Sequence, residues 1–81
     1  MKIKYKFIHF DERSDELFKN TSVRKVFIIR NNKEKNSNLG SIEWYEPWKR
    51  YCFIPNEVAI FDSLCLADIQ HFIGQLKEEK P

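Results

Sequence analysis

The spacing of apolar residues along this chain changes period near residue 62. In the segment LGSIEWYEPWKRYCFIP, residues 39 to 55, Ile42 and Trp44 before Pro47, and Tyr51 and Phe53 after it, alternate with more polar neighbours. From Asp62 onward, Cys65, Ile69, Phe72, Ile73 and Leu76 fall at i, i+4, i+7, i+8 and i+11. The first spacing gives a strand one apolar face, and the second gives a helix one apolar stripe. With 81 residues in all, roughly half the usual length of a domain, the two apolar surfaces have only each other to pack against. The pattern therefore predicts one α+β domain over residues 1–81: a small antiparallel sheet of three or four strands with a C-terminal amphipathic helix packed on one face.

Pro47 fixes its own φ and disfavours helix at Glu46, which places a turn between the two alternating runs. A loop of Tyr45 to Trp48 sets Trp44 opposite Lys49, Ile42 opposite Tyr51 and Gly40 opposite Phe53 on the apolar face. The other face then carries Ser41 opposite Cys52 and Glu43 opposite Arg50. Upstream, Ile3, Tyr5 and Phe7 alternate with Lys2, Lys4 and Lys6 over residues 2 to 8, the pattern of a half-buried strand whose lysine row would discourage edge pairing. Residues 11 to 22 have an acidic start that suits a short helix or helical turn. Val23 to Ile29 is β-branched and aromatic, as in a central strand. NNKEKNSN, residues 31 to 38, is a mobile hairpin loop by its turn formers, and Leu39 opens the next strand. Val58 to Phe61 reads either as a short strand or as a crossover. Asp62 or Ser63 is the natural N-cap of the helix, and Gly74 within it points to close backbone packing or early fraying.

Catalytic constellations are missing from the sequence. The cysteines Cys52 and Cys65 are 13 residues apart, without the C-x-x-C of a zinc or redox motif. His9 and His71 lie in no metal-ligand spacing, and Gly40 and Gly74, the only glycines, cannot form a phosphate-binding glycine loop. Structural roles are the simpler account of all four cysteines and histidines, with Cys65 acting as a small apolar residue on the helix stripe. No enzyme activity, cofactor or metal is expected. Two unpaired cysteines, no apolar run near the roughly 20 residues of a membrane span, and a start without a signal peptide's apolar core fit a reduced, cytoplasmic chain with no membrane partner.

What remains is a binding surface. Residues 1–55 carry a net charge of +5 and residues 56–81 a net charge of −3, an asymmetry that favours anionic ligands on one side, although an ordinary solvated surface accounts for it more simply. The hairpin tip holds Tyr45, Trp48, Lys49 and Arg50, aromatics that can stack and cations that can hold phosphate or carboxylate. Trp44 and Tyr51 read as core, with Lys49 laid over Trp44 by its stem. Tyr45 and Trp48 have no evident core neighbour.

Two stretches carry a resemblance. Gly40, Ile42, Trp44, Tyr45, Trp48, Tyr51, Phe53 and Pro55 match the pattern G-x-I-x-W-Y-x-x-W-R-x-Y-x-F-x-P. Phe61, Cys65, Leu66, Asp68, Ile69, Phe72 and Ile73 match F-x-x-x-C-L-x-D-I-x-x-F-I. In both the chain resembles small uncharacterised proteins of phages and other mobile elements, departing from them at Lys49, where arginine is usual. The resemblance covers about the C-terminal half and implies a genetic setting, with no reaction attached. The resulting expectation is a non-enzymatic binding protein, a stoichiometric inhibitor or sequestering protein acting on a host protein or a small anionic ligand, with antagonism of a host defence component as the setting. The alternative is nucleic-acid binding by the sheet, with Tyr45 and Trp48 stacking and Lys2, Lys4, Lys6, Arg24, Lys25 and Arg30 supplying charge. It ranks second because a net charge of +2 neutralises few phosphates.

Overall fold

The computed structural model describes residues 1–13 and 25–78. Four strands form one antiparallel sheet in sequence order: β1 (Ile8–Arg13), β2 (Val26–Asn31), β3 (Gly40–Tyr45) and β4 (Arg50–Pro55). A helix, α1 (Ser63–Glu78), follows β4. The α+β architecture is the expected one. Because directly paired residues share a face, the register lines up Phe10, Ile29 and Gly40 across β1, β2 and β3. Phe27, Ile42 and Phe53 line up across β2, β3 and β4. α1 lays Ile69, Phe72 and Leu76 on this face, with Cys65 and Ile73 at its margin. Phe72 is the centre of the core, stacked on Phe10 at 3.9 Å with 3° between the planes and edge-on to Phe27 at 4.9 Å. The stripe read from the sequence is the buried stripe.

Asp62 caps the helix: its Oδ1 accepts the Cys65 backbone N–H at 2.8 Å, satisfying one of the donors that a helix start leaves open. That bond, first of all, holds the Asp62 carboxyl below its ordinary pKa. Gly74 is a correction, since a Cβ there would meet nothing within 4 Å and the helix runs on to Glu78. The close approach occurs instead at Gly40, whose φ is +151° and whose absent Cβ would lie 2.6 Å from the Ile54 carbonyl oxygen. Val58 to Phe61 forms no strand. It crosses from β4 to α1, and Phe61 sets its ring edge-on to Phe53 at 5.1 Å.

The N-terminus departs from expectation. Residues 2 to 8 are not a strand. The chain turns back on itself, with Tyr5 N–H donating to the Ile8 carbonyl at 2.8 Å and Phe10 N–H donating to the Ile3 carbonyl at 2.9 Å, so the strand begins at Ile8. Tyr5 is buried at 8% exposure, while Ile3 and Phe7 remain exposed. The apolar phase explains why: positions 3, 5 and 7 are followed by positions 8 and 10, and a strand cannot bury both sets on one face. Ile8 and Phe10 win the core. Lys2, Lys4 and Lys6 consequently form no row along a strand. Of the segment 11 to 22, residues 11 to 13 belong to β1 and the rest lies outside the described residues, as do Val23 and Arg24.

Candidate functional site

The hairpin tip is set by its turn. Glu46 to Trp48 forms one 3-10 turn with Pro47 early in it, and Lys49 closes it in the left-handed conformation at φ 50° and ψ 50°. The Lys49 N–H donates to the Glu46 carbonyl at 3.1 Å. The loop is therefore Glu46 to Lys49, and the pairing is Tyr45 with Arg50, Trp44 with Tyr51, Ile42 with Phe53 and Gly40 with Pro55. This corrects the register expected from the sequence by two residues. A two-residue slip preserves which face each side chain occupies, so Ile42, Tyr51 and Phe53 still face the helix. On the other face Cys52 opposes Glu43 and Ile54 opposes Ser41; Glu43 also accepts the Ser41 hydroxyl at 2.6 Å.

Tyr45 is thus a strand residue, one position before the turn. Its ring meets Trp48 edge-to-face at 5.1 Å and 86°. Tyr45 is 43% and Trp48 64% exposed, so both aromatics pack on one another and keep a large accessible surface. Trp44 and Tyr51 repeat the edge-to-face arrangement at 5.5 Å one pair closer to the core. Arg50 donates from Nε to the Trp48 carbonyl at 3.2 Å, which directs its stem along the turn. The Lys49 ammonium does not lie over Trp44; it stands 3.7 Å from Glu46 Oε1. At that exposure the pair contributes at most about 1 kcal/mol and exchanges readily for a ligand anion.

Glu46 is the tip residue that sequence reasoning missed. Its Oε2 accepts the Trp44 indole N–H at 2.6 Å and its Oε1 faces Lys49, so one carboxylate ties the inner aromatic to the outer cation. The available signal was its position between Trp44 and Lys49, directly before Pro47. All four expected site residues, Tyr45, Trp48, Lys49 and Arg50, come together at this tip.

The remaining candidates Cys65, His9 and His71 make contacts within the fold. The Tyr5 hydroxyl and His71 Nδ1 are 2.7 Å apart, which pins the N-terminal turn to α1. Burial, with the charge of Asp68 second, raises the Tyr5 pKa. His9 Nδ1 lies 2.8 Å from Asn32 Oδ1. Burial first, and a hydrogen bond to Asp62 next, push the Cys65 thiol above its ordinary pKa, which disfavours the nucleophilic thiolate. Among the described residues no three His, Cys, Asp or Glu side chains group as metal ligands, and no helix is long and apolar enough to cross a membrane.

Over 49 residues the chain is 39% identical to a protein of Acholeplasma phage L2 named "Uncharacterized 9.3 kDa protein". The shared stretch is 60% of this chain and 63% of the phage protein, less than two thirds of that relative. No protein family matches the chain, and no solved structure matches it.

Proposed function

We propose that this chain is a non-enzymatic binding protein that acts stoichiometrically, as an inhibitor or sequestering protein, on a macromolecular partner through the tip of its β3–β4 hairpin. The observation that carries the reading is the exposed Tyr45–Trp48 pair, flanked by Lys49 and Arg50 at the end of the β3–β4 hairpin. Neighbouring exposed aromatics with adjacent cations are the composition of contact sites, where Trp, Tyr and Arg supply most of the binding energy. The likeness to a phage protein supports a phage setting, and within that setting the partner we propose is a host protein, with antagonism of a host defence component as the role. The nucleic-acid alternative is weakened by the N-terminal turn. Lys2 sits over the Tyr5 ring and Lys6 over the Phe7 ring, and Arg30 is held by Asp11, so among the described residues these cations form no continuous basic stripe across the sheet.

The test pairs capture with calorimetry. Affinity capture from host lysate identifies the protein or nucleotide retained, and titration of that species onto wild type and the Tyr45→Ala/Trp48→Ala double variant gives the affinities. Truncating such anchors costs about 2 kcal/mol or more of binding, while stability should change by less than about 1 kcal/mol at so exposed a position. A double variant that melts with wild type and still binds at wild-type affinity removes the tip from the function.

A further inference from the structure

The opposite end of the sheet holds a concavity that the tip does not touch. Arg30 lies six ladder positions from the row of Tyr45, roughly 20 Å along the strands. There the N-terminal turn, the start of β1 and the β2–β3 loop enclose a hollow of about 440 Å³, lined among others by Ile3, Lys4, His9, Arg30, Asn32 and Lys35. That volume is in the range of pockets for small organic ligands. We propose that this hollow binds a small phosphorylated molecule, with Lys4, Lys35 and Arg30 around the phosphate and Ile3 against the organic part.

The polar groups are already oriented. Arg30 donates Nε to Asp11 at 2.9 Å and Nη1 to the Ser37 carbonyl at 2.9 Å, which fixes the guanidinium plane at 16% side-chain exposure. Its Nη2 has no hydrogen-bond partner among the described residues. The Asn32 amide donates Nδ2 to the Tyr5 carbonyl at 2.8 Å, which turns its Oδ1 to His9 Nδ1 at 2.8 Å. This contact holds the His9 ring in place on the wall of the hollow. Lys4 and Lys35 are exposed and form no ion pair among the described residues. Among the described residues Asp11 is the one acid on the wall, so the charges of Lys4, Lys35 and Arg30 exceed it by two, which matches a phosphate dianion. A fixed planar donor beside mobile ammonium groups is the usual recognition chemistry for a terminal phosphate. The concave shape and the exposed Ile3 side chain favour a compact ligand over a polymer backbone.

NMR of the intact chain, following the His9 ring and the Asn32 amide, tests this with inorganic phosphate, adenosine monophosphate and a ten-nucleotide single strand as probes. Saturable shifts with both small probes are expected, tighter for the monophosphate by several-fold. The Lys4→Gln/Lys35→Gln variant should weaken both about tenfold, and Tyr45→Ala/Trp48→Ala should leave them unchanged. Both lysines are on the surface, so equal melting temperatures are expected and checked. Absence of saturable shifts, undiminished shifts in the lysine variant, equal affinity for phosphate and monophosphate, or much tighter binding of the oligonucleotide would each overturn the proposal.

Discussion

Replacing Phe72 by alanine removes the side chain on which the core converges. Phe72 is completely buried, and truncating such a phenylalanine costs about 3–5 kcal/mol through lost transfer energy and the cavity left behind. Two ring contacts, the stack on Phe10 and the edge-on contact with Phe27, each add about 0.5–1.5 kcal/mol beyond area, which moves the expectation to the upper half of that range. A chain of this size has a total stability of roughly 4–12 kcal/mol, so the alanine variant can lie near or beyond its unfolding limit. Phe72→Leu keeps most of the volume, loses the ring contacts, and should remain measurable at about 1–2 kcal/mol. The neighbouring His71→Ala deletes one hydrogen bond to Tyr5, worth about 0.5–1.5 kcal/mol. Urea titrations of all four proteins, with m near 1 kcal/mol/M, should separate the Phe72→Ala and His71→Ala midpoints by 2 M or more, an order-of-magnitude estimate of roughly ΔΔG/m. Equal midpoints for these two variants would refute the placement of the helix face.

Two further outcomes follow from the backbone and the cap. Gly40→Ala puts a Cβ 2.6 Å from the Ile54 carbonyl oxygen at φ +151° and should lower the thermal midpoint by the equivalent of about 1–3 kcal/mol, whereas Gly74→Ala, with open space around it, should raise stability by up to about 1 kcal/mol. Because the Asp62 pKa is lowered on folding, its cap stabilises above the ordinary carboxylate pKa, and that contribution disappears as pH falls through the folded value. Asp62→Ala should therefore be less stable than wild type at neutral pH and converge on it in acid, as melting curves across a pH series would show.

The helix was legible because five apolar residues at helical spacing admit one face and Asp62 supplies the cap three residues before Cys65. The β3–β4 hairpin was legible as to faces but displaced in register, since Pro47 marks a turn without saying where the ladder closes. That is decided by Lys49 adopting a left-handed conformation, which lysine composition does not announce. The N-terminal turn was hidden by a locally perfect alternation, and only the phase break between Phe7 and Ile8 recorded it. Glu46 left a local trace in its place between Trp44 and Lys49, whereas the Asn32–His9 arrangement was invisible for another reason: it depends on partners 23 residues apart brought together by the fold, and an isolated amide carries no sign of its partner.

The corrected register changes what the tip is as a binding element. Had Tyr45 belonged to the loop, ordering its ring against a partner would have cost side-chain and backbone freedom at the moment of contact. Its place in the ladder opposite Arg50 means that the backbone is already fixed, and the edge-to-face contact with Trp48 restricts the ring. The turn adds a second constraint through the Lys49 N–H to Glu46 bond, and Glu46 a third through Trp44. A lysine in the left-handed region costs about 1–2 kcal/mol relative to the right-handed one, and that cost is borne by the ladder on either side. In the proposed role, the rigid hairpin would therefore present its two aromatics with most of the ordering entropy already lost in folding, so that affinity would rest on the contact made and little on rearrangement.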